Sequence, residues 1–431
     1  GKIDLGRAMN GPGQFLGRFT ATLPGGTLDI WSNDISDAAL RQRQVEDGAE
    51  HATWVQVKAA RGWSAGLPAG ATADQQIEYT WREARDQAFL ARTYQGGLTK
   101  AGDGALILTG ANTYTGSTEV NGGLLAVNGS ITSIANVNAG GTLGGNGTLG
   151  GLAVRSGGTV APGLGIGTLN VAGNVGFAPG SLYAVEVAPG RSDRISATGA
   201  ARIDGGTVTV AAEGTGGVLS PGALRGLLGQ RTTILSATQG ISGRFDAAMP
   251  GYTFIGANLD YGTDSVGLTL ARNATTFASI GATRNQAATG GAIEALGAGN
   301  ALYETVLVNA DPAAARSAFA SLSGEIHASA VTAQFETAFF VREAILDRLR
   351  RGDVAGAPVF GGLSAASLPA AYSADLPGRV APPAQVPAQL AAPRAYGLWG
   401  QGFGAFGRTR SDGNAASLSR QISGFVLGAD T

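Results

Sequence analysis

The spacing of hydrophobic positions changes along the chain and divides it into segments. Residues 39–52 and 79–94 have the composition of helices, and Trp31–Asp37 predicts a turn that carries helix-capping residues before the first of them. From Leu98 onward the pattern changes to short apolar runs that each follow a glycine. The sequence therefore predicts connector helices followed by a β domain.

The short apolar runs recur at a nearly constant interval. They begin at Gly104, Gly122, Gly140 and Gly157, which lie 18, 18 and 17 residues apart. Such brief runs are short for the strands of a sandwich and suit one face of a solenoid turn. Longer, more aromatic strand patterns fill 181–271, as expected for a section that closes a stack. The pattern predicts a mainly β fold, namely a right-handed parallel β-helix stalk with a C-terminal cap.

Strand patterns stop at Asn273, and residues 284–351 predict helices. The helical segment from Ala313 to Arg351 has apolar residues at helical spacing, namely Leu322, Ile326, Phe335, Phe339, Ile345 and Leu349. Its charged residues exclude a lipid-embedded helix. The Ala/Pro-rich residues 352–394 predict an extended linker.

Two strand-length runs, 396–406 and 422–430, come last. In the second run Phe425, Leu427 and Ala429 share one face, and Gly424, Gly428 and Asp430 share the other, with Val426 as the exception. Alternation of apolar with polar or small residues is typical of strands in an outer-membrane barrel. We therefore expect the first strands of a truncated outer-membrane β-barrel.

Composition narrows the class of protein further. Glycine supplies 70 of 431 residues, and only 14% of residues are charged. The formal net charge of −1 excludes an electrostatic case for a nucleic-acid partner. The chain has no cysteine, which suits a polypeptide that crosses an oxidising periplasm and is then threaded through a pore.

Candidate catalytic chemistry is sparse. The two histidines are His51, expected to be exposed, and His327, expected to be a lumen or packing residue. Gly163–Gly167 is interpreted as a β-helix corner and not a phosphate loop, because no strand–helix unit follows it. Gly144–Gly147 lacks the aspartate of calcium-binding repeats. We assign no catalytic, cofactor-binding or metal-binding residue.

Several segments resemble autotransporters. Residues 98–124 closely resemble the passenger-associated transport repeat of these proteins, and residues 192–273 resemble the segment that serves them as an intramolecular chaperone. Residues 322–329 and 341–350 look like autotransporter linkers. Trp399–Phe403 is similar to the first barrel strand of this family.

Residues 1–12 look like the tail of a subtilisin-like domain, and Trp31–Asp37 is similar to the junction in subtilase-type autotransporters. The resemblance implies a serine protease whose catalytic domain lies upstream of residue 1, and we expect the chain to be cut at both ends. The predicted segments are a protease tail and connector (1–95), a β-helix repeat (96–180), an autochaperone-like cap (181–272), an α-helical linker (273–351), an Ala/Pro-rich linker (352–394) and the start of a translocator barrel (395–431).

The implied function is display or secretion of a subtilisin-like protease across the outer membrane of a Gram-negative bacterium, in which this chain acts as stalk, folding nucleus and translocation linker. Expected partners are the outer membrane, the barrel-assembly machinery, the upstream protease domain and surface-protein substrates of host or bacterium, and release of the passenger stays open. The alternatives are a β-helical adhesin and a freely soluble solenoid.

Overall fold

Short strands joined by tight corners dominate the chain up to Arg272, and helices follow. The computed structural model describes residues 9–213, 220–351, 397–410, 414 and 417–430. Its strands are β1 (Arg18–Thr22), β2 (Leu28–Trp31), β3 (Gly97–Ala101), β4 (Ala105–Leu108), β5 (Ala111–Asn112), β6 (Thr118–Val120), β7 (Gly123–Val127), β8 (Ser130–Val137), β9 (Gly141–Gly145), β10 (Thr148–Val154), β11 (Thr159–Pro162), β12 (Thr168–Val171), β13 (Val175–Phe177), β14 (Leu182–Ala188), β15 (Arg191–Ser192), β16 (Arg194–Ala197), β17 (Ala201–Ile203), β18 (Thr207–Ala212), β19 (Arg231–Ala237), β20 (Ile241–Gly243), β21 (Ala247–Pro250), β22 (Ile255–Tyr261), β23 (Ser265–Arg272), β24 (Gly397–Thr409) and β25 (Leu418–Asp430). Its helices are α1 (Ala38–Ala60), α2 (Ala73–Leu90), α3 (Pro221–Leu227), α4 (Arg284–Leu296), α5 (Ala301–Leu307), α6 (Pro312–Leu322) and α7 (Glu325–Arg351), with a 3-10 turn at Ala278–Ile280.

Two of the predicted segments fall wholly or partly outside this description. The Ala/Pro-rich linker (352–394) lies outside the described residues, and so do the first eight residues of the predicted protease tail.

Two long sheets carry most of the strands, and most pairings are parallel. Sheet I has the order β1-β3-β6-β8-β10-β12-β16-β19-β23-β22, with β5, β13, β17 and β20 attached beside this path. Sheet II has the order β2-β4-β7-β9-β11-β14-β18-β21, with β15 beside β14. Because each turn of the chain adds to both sheets, the strands stack as in a parallel β-helix stalk. The right-handed sense of the coil stays a prediction.

The register of sheet II confirms the predicted period. Leu124 pairs with Thr142, and Thr142 pairs with Thr159, so these turns are 18 and 17 residues long. Farther along, Leu182 pairs with Thr207, a turn of 25 residues. The turns lengthen here because the strands are longer and the short strand β15 folds back on β14.

The core lies between the sheets, where inward-pointing side chains of successive turns stack on one another. Between β14 and β18 the stacked pairs are Tyr183–Val208, Val185–Val210 and Val187–Ala212, all of them buried. Burying one large aliphatic or aromatic side chain contributes about 1.5–3 kcal/mol. Each added turn is therefore stabilised by the turn beneath it.

The stack begins earlier than the predicted boundary at residue 96. β1 pairs in parallel with β3, and β2 pairs in parallel with β4. The sequence pattern does not predict these strands, because Phe19 and Ile30 are exposed and only Ala21 and Trp31 are buried. The helices α1 and α2 are also inserted between β2 and β3, which interrupts the period.

The two connector helices are confirmed, with different bounds. The first extends to Ala60 instead of Ala52, and the second runs from Ala73 to Leu90 instead of 79–94. The earlier start of α2 has a local cause, a capping box in which the Thr72 hydroxyl accepts a hydrogen bond from the Gln75 amide. The Gln75 side chain accepts one from the Thr72 amide in return.

The sequence predicts helix-capping residues in Trp31–Asp37, but the side chain of Asp37 has a different role. Asp37 stands at the N-cap of α1, but its side chain makes no capping hydrogen bond. Oδ2 instead accepts hydrogen bonds from the Gly96 amide at 3.2 Å and from the Thr115 amide at 2.8 Å. Arg41 lies 3.3 Å from Oδ1. Burial raises the pKa of Asp37, but a hydrogen bond from the Thr115 hydroxyl, the two amide hydrogen bonds and Arg41 outweigh it and leave the pKa below its usual value. Asp37 thus ties the helical insertion to the stack.

The predicted helical segment from Ala313 to Arg351 is broken. It forms α6 and α7, which are separated at Gly324, where the backbone adopts a φ of +70°. A positive φ is the usual end of a helix, and glycine adopts it without a steric penalty. The predicted apolar face of α7 is exposed at Phe335, Phe339 and Leu349.

Contacts divide the structure into two compact units. The first comprises Gly1–Ile280 with Ala292–Ala315, and the second comprises Gly281–Gly291 with Arg316–Thr431. The first unit holds both long sheets, and the second holds α7 and the β24–β25 pair.

Candidate functional site

The two histidines differ in surroundings from what the sequence predicts. His51 is 37% exposed and pairs with Asp86 of α2, with 2.6 Å between Nδ1 and Oδ1. It is therefore partly covered instead of freely exposed, because the charged stretch of α1 faces α2. His327 of α7 is exposed, so its predicted packing role is wrong, and its place in a lumen stays a prediction.

The glycine-rich segment Gly163–Gly167 is a corner between β11 and β12, as predicted. Gly163 and Gly165 have φ values of +83° and +114°, which glycine adopts readily. Within the described part of the chain, no group of three or more His, Cys, Asp or Glu side chains is placed to hold a metal ion.

An aromatic column fills the core at the C-terminal end of the stack. The ring centroid of Phe177 lies 5.7 Å from that of Tyr183 and 4.9 Å from that of Phe245. The Tyr183 hydroxyl donates a hydrogen bond to the Ile234 carbonyl oxygen. Burial raises the pKa of Tyr183 well above its usual value. These contacts therefore join the turn of β13 and β14 to the turn of β19–β21, which lies two turns farther along the stack.

Asp193 is a buried carboxylate beside this column. It follows the short strand β15, and only 1% of its surface is exposed. Oδ1 accepts a hydrogen bond from the Gly167 amide and Oδ2 one from the Glu186 amide, both at 2.8 Å. Burial raises the pKa of Asp193 to about 7, and the charges of Glu186 and Glu213 add to the effect against the two backbone hydrogen bonds.

An antiparallel hairpin ends the parallel stacking. β23 pairs with both β19 and β22 in antiparallel register. Above it the centroids of Phe254 and Phe277 are 4.7 Å apart, and the Arg272 guanidinium lies over both rings at 5.3 and 5.1 Å. Arg272 also contacts Glu294 of α4 at 2.8 Å. The end of the stack is thereby covered by aromatic and ion-paired side chains.

A second ion pair fixes the helices of this cover. Arg225 donates two hydrogen bonds to the carboxylate of Glu304, one from Nε and one from Nη2, each 2.6 Å long. Glu304 is buried, and the hydrogen bonds from Arg225 hold its pKa below the usual value. A two-point contact of this kind fixes orientation as well as distance. It joins α3 to α5. We call residues 181–272 with this helical cover the capped end.

The second unit brings α7 against the β24–β25 hairpin. Glu336 forms an ion pair with Arg420, and the rings of Phe340 and Phe403 stack at 6.0 Å with 9° between their planes. Gly424 and Gly428 share this face, where a Cβ would meet Phe403 and Trp399 at 2.7 and 2.5 Å. Aromatic side chains therefore lie over the cross-strand glycines.

The opposite face of the hairpin is apolar and open. It carries Leu398, Phe406, Phe425 and Leu427, which are 89%, 81%, 73% and 73% exposed. The predicted alternation of β25 is confirmed, because Phe425 and Leu427 point away from the helix side while Gly424 and Gly428 are partly covered. No helix in the described residues is both long and apolar enough to cross a bilayer.

Sequence patterns miss the polar residues that fix this architecture. Asp37, Lys100 and Asp193 are all buried, yet each directly follows a serine or threonine, and such polar surroundings do not indicate burial. One signal could have found Asp193, since it lies in the segment that resembles the chaperone region of autotransporters. The residue type alone does not tell whether such a side chain is exposed.

Comparison with known proteins confirms the resemblance. Residues 98–127 match the passenger-associated-transport-repeat family model, which covers β3 to β7 and thus successive turns of the stack. A 42-residue segment is 60% identical to the adhesin BmaC autotransporter of Brucella suis and covers 10% of this chain and 1% of the adhesin.

Longer matches are found with two extracellular serine proteases of Serratia marcescens. They are 36% and 32% identical over alignments of 301 residues, which cover 60% of this chain. The chain spans 29% of the length of these relatives. The structure and the comparisons together show a β-helical stalk that carries a passenger-associated transport repeat.

Proposed function

We propose that this chain belongs to an autotransporter that displays or secretes a subtilisin-like serine protease across the outer membrane of a Gram-negative bacterium. In this proposal the stack is the stalk of the passenger, and the capped end is its folding nucleus. The observation that carries the proposal is the closure of a parallel stack at its C-terminal end by an antiparallel hairpin and ion-paired helices. The two serine protease relatives support the assignment of the passenger.

The capped end gives folding a direction. A turn of a solenoid is stable only on a neighbour that is already folded. The aromatic column and the ion-paired cover favour the capped end as the first stable template, because they join its turns and cover its last strands. Each further turn then adds strand pairing and apolar burial, and this disfavours return of the chain through a pore. The periplasm supplies no ATP for that work.

The second unit suits the translocating end of the chain. We propose that β24 and β25 are the first strands of an outer-membrane barrel, with Leu398, Phe406, Phe425 and Leu427 facing lipid. The opposite face then lines the lumen, where the Glu336–Arg420 pair and the Phe340–Phe403 stack hold α7. The charges on α7 are tolerated in a water-lined lumen. Insertion there would require the barrel-assembly machinery as partner.

Two matched substitutions in the full-length protein test the folding direction. Tyr183 and Tyr114 are both fully buried, the first in the capped end and the second near the front of the stack. Replacing either with alanine should cost about 3–5 kcal/mol locally. We expect Tyr183→Ala to leave the displayed passenger sensitive to added protease over its whole length. Tyr114→Ala should leave the capped end resistant.

The readout is protease resistance on intact cells, with the amount of membrane-inserted translocator as control for synthesis. Equal resistance of the two variants would refute the folding nucleus. The assignment of the passenger is tested separately, by assay of the secreted protein for hydrolysis sensitive to serine-protease inhibitors.

A β-helical adhesin is the alternative. The 60% identity to an adhesin autotransporter favours it, but the match spans 42 residues. The serine protease matches span 301 residues and therefore support the protease more broadly. Binding of purified chain to host cells, with no hydrolytic activity in the secreted full-length protein, would favour the adhesin.

A further inference from the structure

Polar and ionic contacts join α1 to α2. Between the helices Glu83 accepts hydrogen bonds from Trp54 and Lys58, both at 2.9 Å. Asp86 contacts His51, as described above. Arg85 binds Glu50 through two nitrogens, at 2.5 and 2.9 Å. These contacts satisfy the inner faces of both helices, so the inner faces are not available to a partner.

Four apolar residues of α2 lie on its outer face. Ile77 and Trp81 are 69% and 61% exposed, and Ala84 and Ala88 are also exposed. Their spacing of four, three and four residues puts all four on one side of the helix, opposite the buried Asp86 and Phe89. We call these four residues the α2 stripe. A surface helix of a globular protein normally turns such a stripe toward a core.

The order of large and small residues in the α2 stripe makes it complementary to itself. Two antiparallel copies related by a twofold axis between residues 82 and 83 bring Trp81 of one copy opposite Ala84 of the other. Ile77 then faces Ala88 of the second copy. Each large side chain meets a small one, as knobs-into-holes packing of two helices requires. An isologous contact of this type also closes the assembly at two copies.

The charged residues at the two ends of α2 and the dipoles of the two helices both favour the antiparallel arrangement. Asp74 is the acidic residue of the first turn of α2, and the twofold axis brings it level with Ala91 of the other copy. It thus lies next to Arg92, whose side chain is 44% exposed although it contacts Asp47. The positive end of each helix dipole lies beside the negative end of the other.

We propose that the α2 stripe is a self-association surface that pairs two copies of this chain through antiparallel α2 helices. One helix pair buries less than the roughly 1,200 Å² of a standard interface, so the dimer is weak and reversible. Copies held at high local concentration on one surface would associate through it more readily than copies in dilute solution.

Cysteine cross-linking tests the geometry directly, because the chain has no cysteine of its own. Ala84→Cys places a thiol beside the proposed axis, and Ala49→Cys places a matched exposed thiol on the outer face of α1. All samples carry Phe425→Ser and Leu427→Ser, which weaken the other exposed apolar face. With a short bismaleimide we expect a concentration-dependent dimer from the Ala84→Cys chain and little from the Ala49→Cys chain.

Sedimentation equilibrium of cysteine-free chains supplies the energetic test. Trp81→Glu should raise the dimer Kd at least about tenfold, whereas Val45→Glu on α1 should leave it unchanged. Circular dichroism of each variant checks that the hairpin remains folded. Equal cross-linking of the two cysteine variants, or a chain that stays monomeric at about 100 µM, would overturn the proposal. A stripe that binds only a different protein would give that monomeric result.

Discussion

Lys100 shows how a single buried charge holds a corner of the stack. Its side chain is fully buried, and Nζ donates hydrogen bonds to the carbonyl oxygens of Ala101, Gly102 and Gly122 at 2.9, 2.8 and 3.1 Å. Two of these carbonyls belong to one turn and the third to the next. Burial lowers the pKa of Lys100. The ammonium therefore joins successive corners within the transport repeat.

Replacing this ammonium with an apolar side chain should destabilise the repeat. Lys100→Met removes three hydrogen bonds from a charged donor, and we expect a loss of about 2–4 kcal/mol in the free energy of unfolding. Urea unfolding followed by circular dichroism measures it. The exposed Arg155→Met is the control, with an expected change within about 0.5 kcal/mol. An equally small change for Lys100→Met would contradict the assignment.

Asp193 should make the capped end sensitive to pH. Its pKa is about 7 in the folded protein and 3.8 in the reference state, so the folded state holds the proton more tightly. The resulting stabilisation is complete below about pH 4 and is lost as pH rises through about 7. With about 1.4 kcal/mol for each pKa unit, the folded chain should be more stable at pH 5 than at pH 8.

The comparison with Asp193→Asn isolates this contribution. Asparagine keeps the shape and cannot titrate, so the pH dependence of its unfolding midpoint between pH 5 and 8 should be flatter than that of the parent chain. Carboxylates with lowered pKa values, such as Asp37 and Glu119, are ionised throughout this window. Their contributions to stability are the same in both proteins and cancel when the two pH profiles are subtracted. Parallel pH profiles for the two proteins would show that Asp193 does not titrate there.

At the scale of elements, glycine corners decide whether a turn can stack. Gly123 and Gly140 both have positive φ, at +59° and +81°. A Cβ on Gly123 would lie 2.3 Å from the Gly104 carbonyl oxygen, whereas a Cβ on Gly140 would find its nearest neighbour at 4.0 Å. Gly140→Ala therefore suffers backbone strain alone, while Gly123→Ala also forces two turns apart.

We expect Gly140→Ala to cost about 1 kcal/mol and Gly123→Ala about 3 kcal/mol or more. Urea midpoints of the two variants provide the comparison. Equal losses would mean that strain at the corner, and not the close approach of successive turns, is what requires glycine.

The predictability of an element depends on whether its signal is local. The repeat at Gly104, Gly122 and Gly140 is predictable because each turn repeats the same corner chemistry at a fixed interval. β1 and β2 escape prediction because their partners lie beyond an inserted helical hairpin, and strand pairing over that distance leaves no local pattern. The break at Gly324 carries a local signal in the glycine itself, but the surrounding helical pattern outweighs it.

At the scale of the whole molecule, the sequence indicates the class of fold well, but it does not indicate the side-chain contacts that close the capped end. The transport repeat covers residues 98–127, and its resemblance identifies the stalk. The cover of the capped end depends on pairs such as Arg225–Glu304 and Arg272–Glu294. The members of these pairs lie 79 and 22 residues apart in the chain, and no sequence pattern links them. Only the folded arrangement brings these charges together.

Native-state hydrogen exchange of the 431-residue chain, followed by mass spectrometry at increasing urea, measures whether the capped end is the most stable part of the stack. We expect amides of β14 to β23 to keep their protection to higher urea than those of β1 to β7, because the aromatic column and the ion-paired cover stabilise the capped end. Loss of protection at the capped end first, while β1 to β7 stay protected, would refute the capped end as folding nucleus.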